Sequence, residues 1–321
     1  MVSEFDIIRR HFLAATPARE DVLLGVGDDC ALLQVPADRL LAVSSDTLVA
    51  GRHFDPGVAP DALGHKALAV NLSDLAAMGA EPVWASLCLT LPEADEAWIA
   101  GFAQGFATLA HRHGVQLVGG DTTRGPLSIS VTVHGLLEPG RVLRRDAARP
   151  GDLLYVTGHL GDAGLALLAR QGLYVRDGSM AELQQRLDRP EPRVDEGRAA
   201  AGLAHAAIDL SDGLGSDLRH LCEASGVGAL LYLESLPLSN AVRDYVEETG
   251  DWSVPLSSGD DYELLLSVPA DRQSVFERAA RDWLVPATWV GMVDHGRTVR
   301  AMYPDGRLEH EITGGYDHFR E

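Results

Sequence analysis

The stretch "DALGHKALAVNLSDLAAMGA" (61–80), followed at 83–91 by "VWASLCLTL", decides the fold class. In the first, Leu68, Leu72 and Leu75 recur at i, i+4 and i+7, as an amphipathic helix requires, and Gly79 is placed to stop it. The second is a compact apolar run of strand length. Helix and strand signals go on alternating in both directions along the chain.

Toward the N-terminus, "LAVSSDT" (41–47) is a β-rich run that ends in polar residues. Toward the C-terminus come a helix over 94–113, a strand in "VQLVGGD" (115–121) and another in "LSISVTVHGLL" (127–137). In the last, Leu127, Ile129, Val131 and Val133 alternate with Ser128, Ser130, Thr132 and His134, the two-residue period of a half-buried strand. Long half-polar strands at 83–91 and 127–137 leave edges that must be covered or paired, so a homodimer whose N-terminal strands join across the two-fold axis is expected.

"EPGRVLRRDAARPGD" (138–152) is rich in Pro, Gly and Arg and lacks apolar periodicity, which puts a domain boundary there. The expected domains are 1–140 and 141–321. In the second, strands are expected at 153–157, 205–210, 228–233, 262–268 and 287–293, with helices at 161–171, 213–225 and 271–283. The fold class is α/β (α+β) in two domains.

Composition narrows the function. The chain has 321 residues and a formal charge of −20, from 27 basic and 47 acidic residues. Lys66 is the single lysine, and no basic tract exists for a nucleic-acid backbone or an anionic membrane surface. Three separated cysteines, Cys30, Cys88 and Cys222, offer neither a disulfide framework nor a metal knuckle. The N-terminus lacks a signal-peptide pattern, and no run of 18 apolar residues occurs; a soluble, cytoplasmic protein is expected.

The acidic residues fall at strand ends and in glycine-bearing turns. Asp28 and Asp29 lie in "GVGDDCALL" (25–33), Asp46 ends a strand, Asp121 ends "LVGG", Asp209 and Asp212 frame "DLSDG", and Asp260 and Asp261 follow Gly259. Ligands of open α/β sheets bind at such strand ends. Gly-x-Gly-Asp-Asp alone also reads as a surface hairpin turn. Asp74 differs, because it lies within the 61–80 helix three residues after Asn71. That pair either marks a solvent face or is buried and must be satisfied, for which a divalent cation would serve.

Clustered carboxylates and hydroxyls suit Mg²⁺, which binds through one or two carboxylates together with substrate phosphates. No Gly-x-x-x-x-Gly-Lys-Ser/Thr loop is present, and "GHLGDAGLALL" (158–168) reads as a helix start. Phosphoryl transfer assisted by metal is the natural candidate.

Seven ordered stretches then carry a resemblance: "GVGDDCALL", "SSDTLVAGRHF", "KALAVNLSDLAAMGAEP", "LVGGDTTRGPLSISVTVHG", "IDLSDGLGSDL", "SGDDYELLLSVP" and "GYDHF". Together, over residues 4 to 319, they resemble the thiamine-monophosphate kinase family, which is similar to the wider group of aminoimidazole ribonucleotide synthetases. The resemblance implies a two-domain aminoimidazole ribonucleotide synthetase-like fold, with an N-terminal mixed sheet forming a dimer barrel and a C-terminal α/β domain. It also implies ATP bound at a dimer-related cleft, and direct transfer of its γ-phosphoryl group to thiamine monophosphate without a phosphoenzyme.

Residue by residue, the resemblance implies that Asp29, Ser44, Ser45, Asp46, Asp74, Asp121 and Asp209 form a Mg²⁺ shell, with Asp212 on a further ion. Gly120, Asp121, Arg145 and Ser211 match nucleotide-contacting positions, and His53, Asp260 and Tyr316 match substrate-contacting ones. Asp260 departs from the family pattern, in which Glu is frequent. Two alternatives stay open: a sister ATP-dependent synthetase, and a divalent-cation or nucleotide-binding protein without catalysis. A selenophosphate synthetase or hydrogenase-maturation dehydratase would need a reactive cysteine near the N-terminus or at the extreme C-terminus, whereas Cys30 sits in an apolar run and the sequence ends "YDHFRE".

Overall fold

The computed structural model describes residues 4–174, 180–312 and 314–316. The chain divides into two compact units: residues up to Leu75 with Ala80–Pro139, and Ala76–Gly79 with residues from Gly140 onward.

The first unit runs α1 (Glu4–Ile7), β1 (Val22–Leu24), β2 (Leu32–Leu33), β3 (Leu40–Val49), α2 (Pro60–Met78), β4 (Glu81–Leu91), α3 (Glu96–His113), β5 (Gln116–Arg124) and β6 (Ser128–Leu137). Its main sheet has the order β3-β6-β4-β5. β4 and β5 are parallel, bridged by α3, while β6 runs antiparallel to both β3 and β4. β6 alternates half-buried and buried residues along its whole length, as its period requires.

α3 begins where Asp95 accepts hydrogen bonds from the N–H groups of Ala97 and Trp98, at 2.9 and 3.2 Å. It ends at Gly114 in the left-handed conformation. α2 and α3 cross with backbones in contact. A Cβ on Gly105 would lie 1.8 Å from the Asp61 carbonyl, and one on Gly64 would lie 2.0 Å from that of Phe102.

Gly79 closes α2 at φ 74°. The helix itself is not the amphipathic one the leucine spacing predicts, because His65, Lys66, Asn71 and Ser73 are as buried as its leucines. Leucine spacing reports one apolar face, and small Ala and Gly residues fill much of the rest, so its polar residues end up buried as well.

The strands of the short β1–β2 hairpin are absent from the sequence expectation, which offered only a hairpin turn at Gly-x-Gly-Asp-Asp. Its two strands pair antiparallel, so the 25–31 segment is indeed a hairpin connection. Neither strand is long enough to show a period. Tertiary anchors hold the hairpin instead: Trp84 donates to Asp21 at 2.9 Å, the Arg19 N–H donates to the Gln116 side chain at 2.6 Å, and the Leu117 N–H donates to Thr16 at 2.8 Å.

The second unit contains β7 (Leu153–Thr157), α4 (Asp162–Arg170), α5 (Met180–Asp188), α6 (Val194–Ala200), β8 (Ala206–Asp209), α7 (Leu214–Ser225), β9 (Gly228–Tyr232), α8 (Asn240–Thr249), α9 (Ser253–Ser257), β10 (Leu264–Val268), α10 (Gln273–Ala280), β11 (Ala287–Asp294), β12 (Val299–Met302) and β13 (Leu308–Glu309). Its sheet has the order β13-β12-β9-β11-β7-β10-β8. All neighbours are antiparallel except β12 beside β9. Leu154, Val156, Ile208, Leu218, Leu221, Leu231 and Leu265 belong to one buried cluster. The 234–261 segment, without a sequence expectation, holds α8 and α9. α8 starts where Ser239 accepts the Val242 N–H, and it buries only Val242, Tyr245 and Val246, a stripe too short to stand out in the sequence.

Candidate functional site

In the first unit the hairpin connection and the middle of β5 face each other across a cleft of about 640 Å³. Asp28, Asp29, Cys30, Ser86, Gly120, Asp121 and Thr122 line it, with Phe5 and Phe12 as apolar wall. Asp28 has turn work of its own, since its carboxylate accepts the Asp29 N–H at 2.8 Å. Gly120 sits at φ 144°, and a Cβ there would lie 1.8 Å from the Leu87 carbonyl. The parallel strands admit nothing larger at this position, so its backbone stays bare on the cleft.

A second polar group lies on β3 and α2. Ser44 donates to Asp74 at 2.5 Å, and the Asp46 N–H donates to the Asn71 side chain at 2.9 Å. Asn71 in turn donates to the Ala67 carbonyl at 3.0 Å and is 1% exposed. The Asn71–Asp74 pair therefore does not mark a solvent face; it ties α2 to β3. Ser45 points the other way, bonded to Thr132 at 3.0 Å. His53, in the turn after β3, accepts the Val49 N–H through Nδ1 at 3.0 Å.

The second unit brings its expected residues to one turn. β8 delivers Asp209, nearly buried, with the Arg145 guanidinium 4.0 Å away. Arg145 opens a short 3₁₀ turn (Arg145–Ala147), and its carbonyl accepts from Ser225 of α7 at 2.7 Å. The Ser211 carbonyl accepts the Asp260 N–H at 2.8 Å, and the Asp212 carbonyl accepts the Tyr316 N–H at 3.1 Å. Tyr316 is thus docked on the turn, although it lies in the C-terminal segment of the sequence.

Three further carboxylates lie around this turn, Asp217 and Glu263 buried and Asp261 half-buried. Asp217, in the first turn of α7, accepts the Asp212 N–H at 3.0 Å. Burial, reinforced by the neighbouring charges of Asp212 and Asp209, pushes its pKa up to about 8. Asp261 accepts the Gly161 N–H, and burial raises its pKa well above the usual carboxylate value. Glu263 is paired with Arg193. In the sequence Asp261 stands out only through the Gly259 turn, while Asp217, the third acid in "DLSDGLGSD", and Glu263, in "DDYE", read as surface charge.

Among the described residues, no group of three or more His, Cys, Asp or Glu side chains is placed to hold a metal ion. The donors present are carboxylate and hydroxyl oxygens, the hard ligands Mg²⁺ prefers, and Mg²⁺ needs only one or two of them when phosphate oxygens complete its shell. The donor set fits such an ion.

Family models for AIR synthase related proteins match both units, the N-terminal domain over 27–137 and the C-terminal domain over 149–304. Thiamine-monophosphate kinase from Escherichia coli (strain K12) is 47% identical over 319 residues, covering 98% of each chain. The chain belongs to the thiamine-monophosphate kinase family. Within that family, the crystal structure of the enzyme from Stenotrophomonas maltophilia K279a has a TM-score of 0.86 at 44% identity, covering 94% of this chain and 96% of its own. A solved structure of AaThiL complexed with AMPPCP and TMP has a TM-score of 0.76 at 34% identity, covering 92% of each chain. The two-domain kinase fold is therefore this chain's fold.

Proposed function

We propose that the chain transfers the γ-phosphoryl group of ATP directly to the phosphate of thiamine monophosphate, giving thiamine diphosphate and ADP. Membership of the kinase family supports this reading, as does the relative solved with AMPPCP and TMP. The observation that carries it is the gathering of Arg145, Asp209, Ser211, Asp212, Asp260 and Tyr316 around a single turn.

The acceptor is an ionised phosphate oxygen, so attack needs no general base and no protein nucleophile. A P–O bond forms between that oxygen and the γ-phosphorus as the bond to the β-γ bridging oxygen breaks in line, and ADP leaves. The protein supplies position and charge. In the second unit Arg145 and Ser211 serve the nucleotide and Asp260 and Tyr316 the acceptor; in the first unit the bare backbone at Gly120 and Asp121 serves the nucleotide and His53 the acceptor. Asp29, Ser44, Ser45, Asp46, Asp74, Asp121, Asp209 and Asp212 would hold Mg²⁺, which when bound offsets the triphosphate charge.

The enzyme acts as a cytoplasmic homodimer in this reading. The strands expected to carry the seam, 83–91 and 127–137, are the two inner strands of the sheet; the edge is the ten-residue β3, whose own Leu41, Val43 and Val49 are exposed and which a second copy would cover. No helix among the described residues is long and apolar enough to cross a membrane.

The test is ADP release with thiamine monophosphate, with thiamine, and with no acceptor, each with Mg²⁺ and with chelator. Release that depends on both thiamine monophosphate and Mg²⁺ is expected. Equal release without acceptor would overturn the reading.

A further inference from the structure

The turn that carries Asp260 is backed by a buried ion pair. Asp260 (φ 62°) and Tyr262 (φ 50°) are the two non-glycine residues with positive φ among the described residues. Side chains with a Cβ avoid that region, so something must over-determine the turn. Its N–H groups bond to the β8 exit: Asp260 to the Ser211 carbonyl and Tyr262 to that of Leu210, both at 2.8 Å, while the Leu210 N–H returns to the Glu263 carbonyl at 2.8 Å.

Immediately behind, the Glu263 carboxylate takes Arg193 Nε at 2.6 Å and Nη2 at 2.5 Å, and the Thr157 hydroxyl at 2.7 Å. Thr157 in turn accepts the Leu264 N–H at 2.8 Å. Glu263 is 2% exposed and Arg193 7%. The carboxylate lies against the bare face of Gly158, where a Cβ would stand 2.0 Å from it. A hydrophobic pair of similar volume would serve stability as well or better than a buried ion pair. What directional bonds add is a fixed position and orientation for the residues next to them.

We propose that Arg193 and Glu263, with Thr157, are positioning residues that hold the Asp260 turn in its binding conformation for thiamine monophosphate. This rests on the reading that Asp260 contacts that substrate. Neither Arg193 nor Glu263 needs to touch the substrate; they act through the 260–262 backbone.

The test compares Glu263→Gln, the double variant Arg193→Met with Glu263→Leu, and the parent in steady-state kinetics and in amide hydrogen exchange. The double variant removes both charges together and so stays folded where a single change leaves one charge buried. Expected in both is a rise of about tenfold or more in KM for thiamine monophosphate, with kcat and KM for ATP within about threefold. Faster exchange over 258–264 is expected, with protection of β7 and β9 unchanged. Parental exchange over 258–264 and parental KM in the double variant would overturn the proposal, as would equal rises in both KM values. The exchange readout does not depend on turnover. An Asp260→Ala variant with parental KM for thiamine monophosphate, alongside faster exchange in the pair variants, would instead overturn the substrate role of Asp260.

Discussion

Asp46 and Asp121 stand at opposite edges of the same four-stranded sheet. The register runs Asp46 to Val131, Val131 to Leu87 and Leu87 to Gly120, so Asp121 is one residue off the row that begins at Asp46. Three interstrand gaps separate them, roughly 14 Å at about 4.8 Å each. One ion cannot take both carboxylates from one copy. In a two-fold dimer that pairs β3 of one copy with β5 of the other, these two edges would lie side by side.

Replacing either carboxylate by Asn should lower turnover by at least ~10²-fold, equivalent to roughly 2.7 kcal/mol of transition-state stabilisation, with little change in thermal midpoint. If the site spans the seam, a mixed population of Asp46→Asn and Asp121→Asn subunits regains activity, because each heterodimer holds one site with both carboxylates intact. Random mixing should restore about a quarter of parental activity. Mixed samples no more active than either variant alone would sink the shared-site reading.

His134 predicts a pH dependence of stability. It sits opposite Trp84 in the sheet, and its Nδ1 is buried with no hydrogen-bond partner. Burial lowers its pKa below the ordinary 6.5, despite an opposing hydrogen bond to the Trp84 backbone. Because the folded state favours the neutral ring, this contribution is fully present above pH 6.5 and is lost as the pH falls through the lowered folded value. Urea midpoints at pH 8 and pH 5 should therefore differ more for the parent than for His134→Gln. Equal differences would show that the imidazole contributes nothing to acid sensitivity.

The α2–α3 crossing gives a prediction opposite in sign to helix propensity. Ala is favoured over Gly inside a helix by about 1 kcal/mol. Gly105→Ala should nonetheless destabilise by ~1–3 kcal/mol, because the new Cβ meets the Asp61 carbonyl and forces two backbones apart. A denaturation midpoint at or above that of the parent would contradict the crossing geometry.

Cysteine reactivity should separate the thiols. Cys222 is 2% exposed, and burial, with Asp294 and Glu223 nearby, pushes its pKa up to about 12, so little thiolate forms at neutral pH. Cys30 is exposed in the hairpin connection. Alkylation followed by peptide mapping should label Cys30 within minutes and Cys222 only after unfolding. Prompt labelling of Cys222 in the native protein would mean that its helix opens readily.

Periodicity and turn chemistry determined much of the fold. The alternation of Ile129, Val131 and Val133 with serine and threonine specifies β6, and Gly79 and Gly114 end their helices because only glycine adopts the left-handed conformation freely. Ordered motifs were equally legible as runs of residues, but not their placement: Asp46 and Asp121, expected to end strands, lie inside β3 (Leu40–Val49) and β5 (Gln116–Arg124), because pairing with neighbouring strands carries the polar residues on in the ladder. Tertiary structure alone decided the rest. Nothing local tells that Asn71 is buried against Asp46, that Tyr316 docks on Asp212, or that Glu263 lies under the Asp260 turn bonded to Arg193, 70 residues earlier. Each of those is a partner supplied from far along the chain. A carboxylate has the same side chain whether it is solvated or buried, so its role is set by the element packed against it.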